Sequence, residues 1–117
     1  MKKSNLLISE FQKKKIKYGD LQTISLHRYL DEVGCLRDCV DLILCDYTSS
    51  HNSKFFIKFF DVKDFKLGEI NMMVFIQIYI SDISSRQMED INFKVSEEEN
   101  DLFSFYCKSF TFEEITE

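Results

Sequence analysis

Apolar residues recur at every second position through most of the chain from residue 40 onward. In residues 54–60 the odd-numbered positions are all apolar, and in residues 72–80 both sides of the alternation are apolar apart from Gln77. A period of two places successive side chains on opposite faces of a β-strand. A run that is apolar on both faces is typical of a central strand covered on each side. The pattern therefore predicts a β-sheet with residues 72–80 at its centre.

Polar segments divide this part of the chain into five runs with strand periodicity. The runs cover residues 40–47, 54–60, 72–80, 90–96 and 102–112. Short links favour antiparallel neighbours, and the polar link at 48–53 predicts a hairpin between the first two runs. Residues 61–67 are expected to form a helical turn or a bent connection. A change of phase near Ser109 predicts a bulge or bend in the last strand.

The N-terminal part has a different pattern. Leu7, Ile8, Phe11 and Lys15 are spaced as on one helix face, and Ser4 is a suitable N-cap, so residues 4–17 are expected to form a short helix. Residues 20–34 leave two interpretations open. The spacing of their apolar residues favours a helix ending at Gly34, whereas the residues from Ile24 onward would equally suit a strand.

These elements fit one domain over residues 1–117, the size expected for a single hydrophobic core. The predicted fold class is α+β and mainly β. It comprises a curled antiparallel meander of five to six strands over residues 40–115, preceded by one or two helical segments.

Charge is distributed unevenly along the chain. Residues 1–20 form a basic lead-in of +4, and the remaining 97 residues carry −9, which together give the net charge of −5. Nucleic-acid-binding domains of this size are normally basic, so no nucleic-acid partner is expected. No apolar run approaches the roughly 18 residues of a membrane span, and the N-terminal run Leu6–Ile8 is too short for a secretory leader. No membrane partner is therefore expected.

The cysteines and histidines show no metal-binding pattern. The first three cysteines follow C-x3-C-x5-C, which lacks the two close pairs of zinc sites, and His27 and His51 lack ligand spacing. No metal is therefore predicted, and the thiols are interpreted as reduced residues of a cytoplasmic protein, with disulfides in a secreted domain as the alternative. The four cysteines are Cys35, Cys39, Cys45 and Cys107.

Motifs of catalysis are equally scarce. The chain contains no phosphate-binding loop, no dinucleotide-binding fingerprint and no nucleophile elbow, and it has only three glycines with which to build one. The expectation is a protein without cofactor that is not an enzyme. A small hydrolase built on a Cys–His pair, or a metal-binding enzyme, is the less favoured alternative.

Carboxylates are concentrated in the polar links of the C-terminal half. Acidic residues at such turns mostly serve solubility, but a dense acidic patch also attracts a basic partner through its summed field. The candidate partner-binding residues are Asp82, Glu89, Asp90, Glu97, Glu98, Glu99 and Asp101.

Phenylalanines lie on both sides of the run at 54–60. One interpretation is a sheet packed on both faces, with a helix covering the second. The other is an exposed apolar face that binds a partner or closes a homodimer.

Three stretches carry a family resemblance. They are an F-x-x-V-x-x-F-x-L segment ending at Leu67, an apolar strand ending in Ile80-Ser81-Asp82-Ile83, and a closing strand that contains Phe105-Tyr106-Cys107. Over about residues 40–115 the chain resembles the small β-rich immunity proteins of bacterial polymorphic toxin systems. The basic N-terminal segment lies outside the resemblance.

The resemblance implies a cytoplasmic, non-enzymatic inhibitor that binds a cognate toxin domain and occludes its active site. The partner would be a protein, and a basic toxin domain would suit the acidic body of this chain. The alternative is a structural or assembly module that dimerises through a phenylalanine-rich sheet face. It differs from the first in predicting self-association rather than a foreign partner.

Overall fold

A computed structural model describes residues 3–46, 53–69 and 75–116. The polar link predicted at 48–53 lies outside the described residues except for Ser53, and so do residues 72–74 of the third predicted strand. The elements in chain order are α1 (Lys3–Lys15), β1 (Asp20–Leu30), β2 (Leu36–Cys45), β3 (Ser53–Phe60), β4 (Lys63–Leu67), β5 (Ile78–Asp82), the 3-10 turn η1 (Ser84–Arg86), β6 (Phe93–Glu97), β7 (Phe103–Cys107) and β8 (Ser109–Thr116).

The mainly β class is confirmed, but the strands form two antiparallel sheets rather than one. Sheet 1 has the order β1-β2-β3-β8, and sheet 2 has the order β4-β7-β6-β5. The prediction of a single meander of five to six strands is therefore wrong. The cause is two points, at Asp61 and Lys108, where the chain leaves one sheet and enters the other.

These two crossing points lie side by side. The Lys108 backbone N–H donates to the Phe60 carbonyl at 3.0 Å, and the Val62 N–H donates to the Asp38 carbonyl at 3.0 Å. Asp61 takes a left-handed backbone conformation, with φ of 54°, which turns the chain sharply out of sheet 1. The change of phase near Ser109 is thus confirmed as a bend, and the bend carries the chain between sheets.

The segment at 61–67 is neither a helical turn nor a mere connection. Most of it forms β4, an edge strand that pairs with β7 through Lys63 opposite Tyr106 and Leu67 opposite Phe103. A register shift between Lys63 and Lys66 breaks the alternation that would have identified this strand from sequence.

The open question at 20–34 is settled in favour of a strand. β1 pairs with β2 along nearly its whole length, and Asp31 closes the hairpin by accepting the Val33 and Cys35 N–H groups at 3.0 and 2.8 Å. The helically spaced Leu26 and Leu30 remain exposed, so their spacing does not record a buried helix face. Pairing with β2 satisfies the backbone and overrides that local pattern.

In the part of the chain that the structure describes, the one α-helix, α1, lies near the N-terminus. It begins at Lys3, so Ser4 lies inside the first turn rather than before it. Phe11 is fully buried, and its ring lies 5.7 Å from Phe55 and 5.5 Å from Phe112, between centroids. The helix therefore covers the inner face of sheet 1, not the second face that one interpretation of the phenylalanines required.

The core lies between the two sheets and beneath α1. The even positions of β2 from Val40 onward and the odd positions of β3 face it, which confirms the predicted hairpin and its alternation. Phe59 of sheet 1 meets Phe105 of sheet 2 at 4.9 Å, and Phe110 meets Phe93 at 5.1 Å, both close to edge-to-face. These aromatic pairs join the sheets.

The run at 72–80 is not a central strand. Its described part enters sheet 2 only at Ile78, and β5 is an edge strand of that sheet. The apolar positions Ile76, Ile78 and Ile80 are buried, while Phe75 and Tyr79 are exposed. Within residues 75–80, apolarity on both sides reflects one buried face and two exposed aromatic side chains.

Candidate functional site

The acidic candidate residues fall into two groups at opposite ends of β6. Phe93, the first residue of β6, pairs with Asp82, whereas Glu97, the last, pairs with Ile78. A five-residue strand separates the two ends by about 13 Å. The first group is Asp82, Glu89 and Asp90, and the second is Glu97, Glu98, Glu99 and Asp101. The structure therefore does not gather the seven residues into one patch.

Glu97 is a structural residue. Its side chain is 2 % exposed. Its carboxylate accepts backbone N–H groups from Gln77 at 2.9 Å, Asn100 at 2.7 Å and Leu102 at 3.2 Å, and from Glu99 at 3.0 Å. A buried carboxylate is tolerated when hydrogen bonds replace its hydration. Because its side chain is buried, Glu97 does not form part of the surface that a partner could contact.

The other three members of the second group form what we call the acidic turn: Glu98, Glu99 and Asp101, all exposed. The turn joins β6 to β7 and is braced from inside by Glu97 and from outside by Asn100, whose side-chain amide donates to the Phe75 carbonyl at 2.7 Å. Asp101 has a left-handed backbone, with φ of 52°. The three exposed carboxylates therefore lie on a turn whose backbone is fixed by several hydrogen bonds.

The first group is largely engaged within the protein. Asp82 accepts the Ser84 N–H at 2.9 Å and the Ser84 hydroxyl at 2.6 Å. Asp90 lies 3.7 Å from Arg37 and 3.5 Å from Lys108. Glu89 is exposed. Two of the three carboxylates at this end, Asp82 and Asp90, therefore have intramolecular partners.

Arg37 is the centre of an ion-pair cluster that sequence reasoning missed. Its guanidinium lies 3.0 Å from Asp31 and 3.6 Å from Asp61, in addition to Asp90. The pKa of Asp31 is lowered, first by the hydrogen bond from the Cys35 N–H and then by Arg37. The cluster ties the β1–β2 hairpin to the point where the chain crosses into sheet 2, so its role is structural.

The outer face of sheet 1 is a second candidate surface, because α1 packs on the opposite face. It holds a groove of about 460 Å³ across β2, β3 and β8. The side chains that point into the groove are a mixture of apolar and polar or charged residues, so the groove is neither uniformly apolar nor uniformly charged. Those at the groove are Asp41, Ile43, Phe56, Lys58, Thr111 and Glu113.

Beside this groove, three side chains of different types converge. His27 Nε2 lies 2.9 Å from Asp41 Oδ2, and the Cys39 sulfur lies 3.7 Å from Asp41 Oδ1. Burial, followed by the nearby Asp41 charge, raises the pKa of the Cys39 thiol to about 11. The residues come from two strands, so spacing along the sequence could not reveal the cluster. Only the register between β1 and β2, which the sequence does not give, places His27 opposite Cys39.

No helix in residues 3–46, 53–69 and 75–116 has the length and apolar character needed to cross a membrane. In the comparison with protein families, the model described as immunity protein PIM8 matches residues 4–113. No curated protein matches the chain, and no solved structure matches it. The family match includes most of the basic N-terminal segment, which the resemblance in the strands had left out.

Proposed function

Because the chain belongs to the immunity protein PIM8 family, we propose that it is a non-enzymatic inhibitor that binds and occludes a cognate bacterial toxin domain. The observation that carries this proposal is the family match over nearly the whole chain. The protein would act by steric occlusion, with electrostatic attraction speeding the encounter.

The acidic turn is the proposed contact with a basic toxin surface. Its three carboxylates are exposed, and the turn is braced by the buried Glu97 and by Asn100. A braced turn loses little conformational freedom on binding, which favours affinity. Glu89 is exposed at the far end of β6 and would extend the contact only for a partner that spans sheet 2.

The cytoplasm is the proposed site of action. All four cysteines are free, and Cys39 and Cys107 are buried with their thiols intact. Free buried thiols suit a reducing compartment, where an inhibitor would protect the cell that makes the toxin.

Co-expression tests the function. A candidate toxin domain, sought among the genes beside this one, is expressed under an inducible promoter with and without this protein. Restored growth and a stable complex of the two purified proteins are expected. Growth arrest that persists although the protein is present, folded and in excess would refute the proposal.

Charge reversal tests the contact surface. Glu98→Lys, Glu99→Lys and Asp101→Lys are combined, and the matched control combines Glu10→Lys, Glu32→Lys and Glu113→Lys, all exposed positions. Both variants have the same net charge. We expect the first to slow association with the toxin at low salt by about tenfold or more relative to the control, because a local field steers encounter. Equal association rates for both variants would remove the acidic turn from the interface.

A second candidate function is self-assembly through the outer face of sheet 1. The supporting observation is Phe56, which is half-buried beside Ile43 on a sheet face that α1 leaves open. Sedimentation equilibrium over a range of concentrations tests it. A dimer that Phe56→Ser dissociates would support assembly, and a monomer at all concentrations would exclude it.

A further inference from the structure

We propose that His27, Cys39 and Asp41 form a three-ligand site for a divalent zinc ion on the outer face of sheet 1. This site is separate from the acidic turn, which lies on sheet 2, and the proposal does not depend on toxin binding.

Strand register brings the ligands together. His27 of β1 is the direct partner of Cys39 on β2, and Asp41 follows two residues later on the same strand. Positions opposite one another and positions two apart share a face of the sheet. The arrangement therefore needs no loop and is held by two paired strands.

The ligand atoms already lie at distances near those of a metal site. One nitrogen, one sulfur and one carboxylate oxygen all lie within 4.8 Å of one another. Zinc–ligand bonds of 2.0–2.3 Å place neighbouring tetrahedral ligands about 3.3–3.8 Å apart. The separation of 2.9 Å from His27 to Asp41 Oδ2 is shorter than that range, and the separation of 3.7 Å from Cys39 to Asp41 Oδ1 lies within it, so side-chain adjustments suffice.

Cys39 faces the site and not the core. The residues of β2 that pack in the core cluster are Val40, Leu42 and Leu44, so the odd-numbered Cys39, although buried, points to the outer face. Its partners in register are His27 on one side and Phe60 on the other. A thiol buried in the core would have apolar neighbours, whereas this sulfur contacts a carboxylate.

The chemistry of the donors suits zinc. Zinc binds cysteine sulfur, histidine nitrogen and carboxylate oxygen, and hard cations such as magnesium prefer oxygen alone. On binding, the Cys39 thiol releases its proton to solvent, so that thiolate, carboxylate and neutral imidazole balance the two charges of the ion. The exposed Lys58, opposite Asp41 in register, is the cation nearest this set in the pairing of β2 with β3. Three protein ligands leave a fourth position open to water.

Cobalt titration of the reduced full chain tests the site, since Co²⁺ reports both coordination geometry and thiolate ligation by absorption. We expect one equivalent of Co²⁺ with a thiolate-to-metal charge-transfer band, displaced stoichiometrically by Zn²⁺. Cys39→Ser should abolish that band, while Cys35→Ser, at the exposed cysteine of the adjacent hairpin turn, should keep it.

His27→Gln is the variant that guards against misfolding, because His27 is 41 % exposed and its replacement should leave the fold intact. We expect it to weaken Zn²⁺ binding by at least about tenfold, measured by competition with a chromophoric chelator. Metal binding without a thiolate band, binding unaffected by His27→Gln, or no binding at micromolar zinc would each overturn the proposal. If the protein binds no zinc but still neutralises the toxin, the zinc-site proposal fails while the inhibitor proposal stands.

Discussion

Lys15 and Glu97 hold the two ends of one peptide group. The Lys15 ammonium donates to the Ile76 carbonyl, and the Gln77 N–H of the same peptide unit donates to the Glu97 carboxylate at 2.9 Å. Both side chains are almost fully buried, at 3 % and 2 % exposure. Burial lowers the pKa of Lys15, and the charge of Glu97 partly opposes that effect. The two charges thereby clamp the segment before β5 between α1 and β6.

The clamp explains why the acidic turn is ordered. Glu97 accepts the Gln77 N–H on one side and N–H groups of the turn on the other, so the segment before β5 and the turn share one carboxylate. Gln12 adds a hydrogen bond to the Ile78 carbonyl at 3.1 Å. The surface proposed to meet the toxin is therefore coupled to the N-terminal helix.

Replacing Glu97 tests its structural role. Glu97→Gln keeps the size but removes the charge and turns one acceptor oxygen into a donor that faces N–H groups. We expect a loss of about 2–4 kcal/mol in the free energy of unfolding, measured by urea denaturation. The neighbouring Glu98→Gln, at an exposed side chain, should change stability by no more than about 0.5 kcal/mol. Equal, small effects would contradict the assignment.

A double-mutant cycle tests the clamp itself. Lys15→Met removes the donor to Ile76, and combining it with Glu97→Gln should cost less than the two single changes added together, by about 0.5–3 kcal/mol. The reason is that each single change leaves the other charge buried without its partner. Lys13→Met, at an exposed position of the same helix, is the control and should be additive with Glu97→Gln.

Phe59 is predicted to be the main link between the sheets. Its ring is fully buried and contacts Phe105 of sheet 2 and Phe110 of β8. Phe59→Ala should lower the free energy of unfolding by about 3–5 kcal/mol, because the cavity would open at the junction of the two sheets. Leu67→Ala, at a half-exposed position of the edge strand β4, should cost far less. Thermal denaturation followed by circular dichroism distinguishes the two.

Because of the buried Cys107 thiol, we expect the free energy of unfolding to fall at alkaline pH. Burial raises the pKa of its thiol from 9.0 to about 12. Between these values the unfolded chain has lost the proton and the folded chain retains it, so stability falls as pH rises, at up to about 1.4 kcal/mol per unit. Below pH 9 the thiol is protonated in both the folded and the unfolded chain, so the contribution of Cys107 to stability is then fully present.

The measurement is the difference in unfolding free energy between wild type and Cys107→Ala from pH 8 to pH 11. The variant should show a shallower decline with pH, whatever its absolute stability. Cys35→Ser controls for the removal of a thiol as such. Parallel curves for wild type and Cys107→Ala would show that the buried thiol is not responsible.

The β2–β3 hairpin shows where sequence reasoning succeeds. Its alternation is regular, and the side chains on one face have nowhere to lie but in the core, so period and burial agree. The strand β1 shows where it stops. Leu26 and Leu30 fit a helix by spacing, and only the availability of β2 as a partner decides for a strand.

The candidate surfaces divide in the same way. The run Glu97–Glu99 is uniform in sequence, yet one carboxylate is buried and its neighbours are exposed, because only Glu97 reaches the Gln77 and Leu102 N–H groups. His27, Cys39 and Asp41 show no ligand spacing, and strand register alone makes them neighbours.

By itself the sequence determined that the chain is mainly β, that its apolar residues alternate from residue 40 onward, and that it resembles immunity proteins. These properties depend on the local spacing of apolar residues and on composition, both of which can be determined directly from the sequence. The tertiary structure decided that the strands form two sheets, that 72–80 ends in an edge strand, and which acidic residues face solvent. Those outcomes depend on the crossings at Asp61 and Lys108 and on contacts between residues far apart in sequence, which no local pattern records.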